Sequence, residues 1–272
     1  MDTLSRPLPP TQRPREGRLR WQRLRIVTAM MLREMGSRFG RSSGGYLWAF
    51  AEPLGGILLL SVVFALATRS PPLGDSYMLF YATGIIPFSM FNTMSRGVSQ
   101  AVRSNRGLLN YPVVTLLDAV IAKVVLTMLT LLVVGTVLFS VIILYDGLYV
   151  RLDLGAVALG VVMASSFGIG VGMVNCVLFG FFPTWKNVWG VLTRPLFIIS
   201  GIFFIMETAP PGLRAVLIWN PIVHSIAEVR RGFFSIYHPD YVSFAYVFGV
   251  SLSLILIGGY LLRRHETFLI EQ

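Results

Sequence analysis

The sequence predicts an all-α polytopic membrane protein with six transmembrane helices, an N-terminal amphipathic interface helix and a re-entrant segment between spans five and six. Three observations carry this. Of 272 residues 54% are hydrophobic and only 13% charged, where soluble domains carry about 25%. The apolar residues gather into blocks near the length of about 20 residues that a helix needs to cross hydrocarbon. Ten of the 23 basic residues, all Arg, lie between Arg6 and Arg41, before the first apolar block, where the positive-inside bias puts cytoplasmic charge.

Residues 1–18 hold four prolines and several Arg, a composition that buries too little apolar surface to fold alone, so a disordered cytoplasmic tail is expected. Residues 19–46 form the interface helix. Within it Trp21, Leu24, Val27, Met31, Met35 and Phe39 recur at helical spacing, with Arg23, Arg25 and Arg33 away from that stripe, as in a helix lying on the inner leaflet. Arg20 and Arg38 fall within the apolar arc and must snorkel. A soluble docking helix is the alternative.

The membrane domain covers 47–262, with spans expected at 47–68, 77–99, 113–144, 153–180, 190–206 and 241–262, and a cytoplasmic C-terminal tail over 263–272. This topology puts seventeen basic residues inside, counting Arg96, Arg103, Arg106, Lys186, Arg194, Arg263 and Arg264, against Arg69, Arg151, Arg214, Arg230 and Arg231 outside. That split fixes both termini in the cytoplasm. The stretch 207–240 contains apolar pieces too short and proline-broken to cross, which reads as re-entrant. An interfacial helix pair is the alternative.

The net charge of +10 would suggest nucleic acid in a soluble protein, but its concentration beside the first span argues against that partner and for membrane lipids. Cys176 is the only cysteine, inside a span, so no internal disulfide forms and metal-ligand spacing is absent. No phosphate-binding loop is present, since neither Lys123 nor Lys186 follows the required glycines. The chain is therefore expected to be no enzyme and to hold no catalytic residues or cofactor. Asp118 and Lys123 share span three, but five residues apart they do not face each other, so partners on another helix are expected. Gly160, Ala164, Gly168, Gly172, Cys176 and Gly180 place a small residue at every fourth position of span four, a ridge for close helix approach within the chain or to a second protomer. Aromatics such as Tyr77, Phe80 and Tyr81 suit an interfacial belt, and a subset could serve instead as stacking surfaces.

Three stretches resemble the membrane subunit of bacterial ABC exporters for capsular polysaccharide, a group related to O-antigen and teichoic-acid export permeases. They are Arg38-Phe39-Gly40-Arg41-Ser42 leading into Gly45-Tyr46-Leu47-Trp48 and Glu52-Pro53; Ser104 to Pro112 with Asp118 and Lys123; and Trp185-Lys186-Asn187 through Ser200-Gly201 to Asn220-Pro221, His224, Glu228 and Arg231-Gly232. The long Arg-rich tail, and Lys123 where relatives are expected to carry Arg, depart from the pattern. The resemblance implies a homodimer docked on two copies of a cytoplasmic ABC ATPase that binds ATP and Mg. It further implies a glycan substrate, which a lipid anchor would suit, and a periplasmic adaptor linking to an outer-membrane exporter.

The same resemblance makes Arg103, Ser104, Asn105, Arg106, Gly107, Leu108, Leu109, Asn110 and Tyr111 the ATPase-coupling segment, with Ser104 and Asn105 available to cap a short helix. Arg38, Arg41, Tyr46 and Trp48 would stand at substrate access to a channel, and Trp219, His224, Glu228 and Arg231 would form an outer re-entrant gate. Other cargo, namely O-antigen, teichoic acid, lipid or drug, stays open. A membrane-embedded glycosyl- or acyltransferase would need carboxylates or His arranged together, whereas Glu52, Glu207, Glu228 and His224 are isolated in sequence.

Overall fold

The computed structural model describes residues 16–39, 45–109, 111 and 113–271, with side chains from 23 to 36 and from 47 to 270 among them. Every regular element among these is helical. The long helices are α1 (Glu16–Phe39), α2 (Gly45–Ala67) and α3 (Tyr77–Ser99), followed by single turns α4 (Ala101–Ser104) and α5 (Arg106–Leu109). Then come α6 (Leu116–Tyr145), α7 (Leu154–Phe181), α8 (Trp185–Ile198), a 3-10 turn at Met206–Thr208, α9 (Pro211–Leu217), α10 (Pro221–Phe233), α11 (Phe244–Arg264) and α12 (Glu266–Glu271). The tail expected over 1–18 falls almost wholly outside the described residues.

Short polar side chains start these helices. Ser76 Oγ accepts the Leu79 N–H at 3.0 Å, Asp153 Oδ1 that of Ala156 at 3.1 Å, and Ser243 Oγ that of Tyr246 at 3.3 Å, each satisfying a donor that helix geometry leaves free. Asp118, expected to pair with another helix, instead closes a reciprocal box with Thr115 at the start of α6, because a carboxylate three residues into a helix reaches back to the capping residue. Lys123 does find its partner elsewhere, in a buried ion pair with Glu34 that fastens α1 to α6.

Four described helices are long and apolar enough to cross a membrane: α2 from Leu47, α6, α7 and α11. The helix α3 has a comparable 23 residues but lies mostly inside the protein. The fifth expected span, 190–206, takes another form. The helix there starts earlier, at Trp185, and ends at Ile198 after 14 residues. At 1.5 Å per residue it is about 21 Å long, short of the roughly 30 Å hydrocarbon core. It stops where Gly201 takes a φ of +76°, a left-handed turn open to glycine without strain.

At the centre sits α7, against α3, α10 and α11. A Cβ on Gly168 would lie 2.8 Å from the Phe91 carbonyl oxygen, and one on Gly172 2.8 Å from that of Ser95, both on α3. One on Gly160 would meet Ser225 of α10 at the same distance. The small-residue ridge is thus used within the chain. Lipid tails are as apolar as side chains, so helix association rests on this close van der Waals contact.

One buried cluster, at the end of the bundle holding α10, gathers Phe80, Tyr81, Phe91, Ile142, Ile226 and Phe233. The other, around Met30, Val98, Leu116, Cys176 and Leu262, lies at the opposite end. Phe80 and Tyr81 have no exposed surface, so they belong to this core and to neither an interfacial belt nor a sugar path. The segment expected as a C-terminal tail folds as α12 and buries Leu269. On α1, Met30 is buried, while Leu24 and Leu32 are exposed, leaving an apolar face open on the side away from α6.

Candidate functional site

Proline at its first position and Asn220 as its cap, whose Oδ1 accepts the Ile222 N–H at 3.1 Å, start α10. Apart from Arg231 every residue of this helix is buried. The sequence anticipated His224, Glu228 and Arg231 here as an outer gate, with Trp219 just before them. The structure pairs Glu228 with Arg231, while Trp219 and His224 both pack against the Tyr246 ring. Arg231 Nη2 donates to Glu228 Oε1 at 2.6 Å, and Arg231 Nη1 lies 3.7 Å from Asp153 Oδ2 at the start of α7. Trp219 is exposed and accepts a 2.7 Å hydrogen bond from the Tyr246 hydroxyl on its carbonyl.

His224 is enclosed on both ring nitrogens. The Ser243 N–H donates to Nδ1 at 3.2 Å, so the proton sits on Nε2 and is donated to the Ile218 carbonyl at 2.8 Å. This neutral ring ties the end of α9 to the start of α11. Burial holds its pKa below the ordinary histidine value. Between the lowered and the ordinary value the unfolded chain binds the extra proton, so this contribution to stability is present above about pH 6.5 and is lost as pH falls below it. Thermal unfolding in detergent between pH 7.5 and 5.5 should show the loss, and His224→Gln, which does not titrate, should flatten it.

Sequence reasoning missed the group with the most extensive contacts. Arg230, counted as an outer-loop charge, is 2% exposed. Its Nη1 donates to the carbonyls of Gly201 at 2.8 Å and Phe204 at 3.0 Å, and Nη2 to that of Ile202 at 2.9 Å. The guanidinium stacks on the Phe80 ring, 4.2 Å from its centroid. Nearby, the Tyr237 hydroxyl donates to Glu207 Oε2 at 3.3 Å and lies 3.2 Å from that of Tyr241. The three carbonyls follow the end of α8, where helical hydrogen bonding has stopped, and Arg230 supplies the donors they lack. No local signal marks it, since its partners lie 26 to 29 residues upstream.

At the opposite end, the segment 103–111 is two single turns broken at Asn105. Asn105 Nδ2 reaches back to the Ala101 carbonyl at 2.9 Å, and Ser104 Oγ donates to it at 3.4 Å. Both side chains therefore close the turn before them and leave the next one uncapped, because a donor amide and a hydroxyl are satisfied by a helix's last carbonyls. Leu109 is buried among Val98, Leu116 and Met173, whereas Arg103, Ser104, Gly107 and Tyr111 are exposed. Asn110 lies outside the described residues.

Of the residues expected at substrate access, Trp48 is exposed on the first turn of α2. Arg41 and the side chains of Arg38 and Tyr46 lie outside what is described. Arg96 of α3 and Glu52 of α2 approach to 3.6 Å with both side chains half exposed or more, a contact of small energetic consequence.

Comparison with known proteins finds relatives in sequence along most of the chain. A polysialic acid transport protein, KpsM of Escherichia coli, is 31% identical over 240 residues, 88% of this chain and 93% of its own. The capsule polysaccharide export inner-membrane protein CtrC of Neisseria meningitidis serogroup B is 29% identical over 236 residues, 86% and 88% of the two chains. The O-antigen export system permease protein RfbA of Klebsiella pneumoniae is 22% identical over 235 residues, 85% and 88%. The family model for ABC-2 type transporters matches residues 26–234, from the face of α1 that meets α6 to the end of α10. The chain belongs to the ABC-2 type transporter membrane family.

Proposed function

We propose that this chain is the transmembrane subunit of an ATP-binding-cassette exporter that moves capsular polysaccharide, carried on a lipid anchor, out of the cytoplasm through a channel at a homodimer interface. The observation that carries the reading is the similarity, over nearly the whole of each chain, to proteins named for capsule polysaccharide export and polysialic acid transport. ATP and Mg belong to two copies of a separate ATPase, and a periplasmic adaptor would continue the path to an outer-membrane exporter. The O-antigen permease among the relatives supports a second cargo, O-antigen, on the same architecture.

In this reading six segments cross the membrane: α2, α3, α6, α7, α8 with the turn after it, and α11. Both termini are cytoplasmic in this reading, which the charge split supports. Non-helical backbone survives at membrane depth only where protein satisfies it, and Arg230 does this after α8, which supports a re-entrant reading of the stretch from Glu207 to Asp240. No residue of α8 is buried, and Val191, Leu192 and Ile198 are exposed. A second protomer across a glycan path would cover such a face. The exposed apolar side of α1 suits the inner leaflet.

The turns α4 and α5 would receive the push of the ATPase. Position 107 tests this, because it is exposed and a Cβ there meets nothing within 4 Å, so Gly107→Trp adds bulk on the outward side, where a docking partner would meet it; an unchanged size-exclusion profile of the variant checks the fold. The variant is expected to lose the ATPase on co-purification from the native host and to accumulate glycan inside the cell. A full complement of ATPase together with normal surface glycan would overturn the assignment.

A further inference from the structure

Between α4, the last turn of α7, the first of α8, and α12 lies a cavity of about 530 Å³, within the range of small-ligand sites. Three cations line it, Arg103, Arg106 and Lys186, with Ser99 and Gln100 beside them and Phe179 and Leu269 on its apolar wall. No acidic side chain is among the lining residues, and among the described residues none of the three cations has an ion pair or a hydrogen bond. The Nη2 of Arg106 is buried without an acceptor. Carbonyls at the C-terminal ends of α3 and α7 attract positive charge, yet they leave this nitrogen unmet, and a buried unpaired donor costs stability. Three like charges, drawn from three separate elements, converge here, and an anion among them would relieve their mutual repulsion.

We propose that this cavity binds a phosphate group, with Arg106 and Arg103 giving forked hydrogen bonds and Lys186 a point charge. The apolar wall accommodates what the phosphate is attached to, so the phosphate of an anionic phospholipid headgroup and free phosphate are the two sources of one chemistry. Placing the cavity at the cytoplasmic leaflet rests on the topology proposed above. There the bound anion would join the coupling segment, the fifth crossing and the C-terminal helix.

The test uses the full-length protein in a nonionic detergent, titrated calorimetrically with dihexanoyl phosphatidylglycerol and, separately, with inorganic phosphate. Saturable binding near one site per chain is expected. Saturation by the lipid alone assigns a headgroup site, and equal saturation by inorganic phosphate assigns a phosphate site. Lys186→Gln, at an exposed side chain whose loss does not threaten folding, is expected to weaken binding about tenfold, the scale of one charge-assisted contact, and Lys186→Arg to restore it. Absence of saturable binding of both probes to folded protein overturns the proposal. So does unchanged affinity in Lys186→Gln combined with Arg103→Gln. Neither outcome depends on ATPase association, which Gly107→Trp reads by itself.

Discussion

Arg230→Met is expected to destabilise the protein more than any other single change of a polar side chain described above. The substitution keeps much of the aliphatic stem and removes the donors, so the carbonyls of Gly201, Ile202 and Phe204 stay buried without partners. Each orphaned group costs about 1–3 kcal/mol, which puts the loss at roughly 3 kcal/mol or more. Arg230→Lys should fall between, because one ammonium cannot reproduce a planar fork. Heating aliquots in detergent and following the folded peak by size-exclusion chromatography measures the order. A Met variant as heat-resistant as the parent would mean that the turn after α8 finds its hydrogen bonds elsewhere.

Gly172→Val is expected to be comparably damaging for a different reason. The new Cβ would lie 2.7 Å from the Val98 Cβ and 2.8 Å from the Ser95 carbonyl oxygen. The oxygen belongs to the α3 backbone and cannot rotate away. The two central helices must separate, and overpacking of this kind typically costs about 1–3 kcal/mol and sometimes more. Gly190→Ala on α8 is the matched control. A Cβ there meets nothing within 4 Å, and alanine in a helix interior is favoured over glycine by about 0.5–1 kcal/mol, so its stability should hold or rise slightly. The same heating series reads both, and equal loss in the two variants would show that the small-residue ridge is not specifically required.

These two positions also mark how far the sequence could be read. The ridge on α7 is legible because spacing at every fourth residue is a local pattern, and the long apolar helices because length and hydropathy are local as well. What sequence spacing left open was the ridge's partner, and backbone distances to Phe91, Ser95 and Ser225 supply it. The end of α8 was misjudged because Phe203, Phe204 and Ile205 continue the apolar run past Ile198, while the left-handed Gly201 ends the helix inside it. Arg230 and Arg231 are adjacent and alike, yet one is enclosed by carbonyls and the other stands at the edge beside Asp153. Only tertiary structure separates them. His224 and Glu228 were named through the resemblance, as part of an outer gate. The structure sets both on α10, and their hydrogen bonds to Ile218, Ser243 and Arg231 depend on elements the sequence did not define.

The ion pair between Lys123 and Glu34 bears on how the chain enters the bilayer. An unpaired lysine costs about 2.5–3.5 kcal/mol at the centre of an apolar helix on insertion scales, and Lys123 lies two turns into α6, on the way to that centre. Glu34 is made 89 residues earlier, on a helix that is complete before α6 leaves the ribosome. The carboxylate is therefore already present when the lysine arrives, and the order of synthesis lets Lys123 enter an apolar environment as half of an ion pair and not as a lone charge.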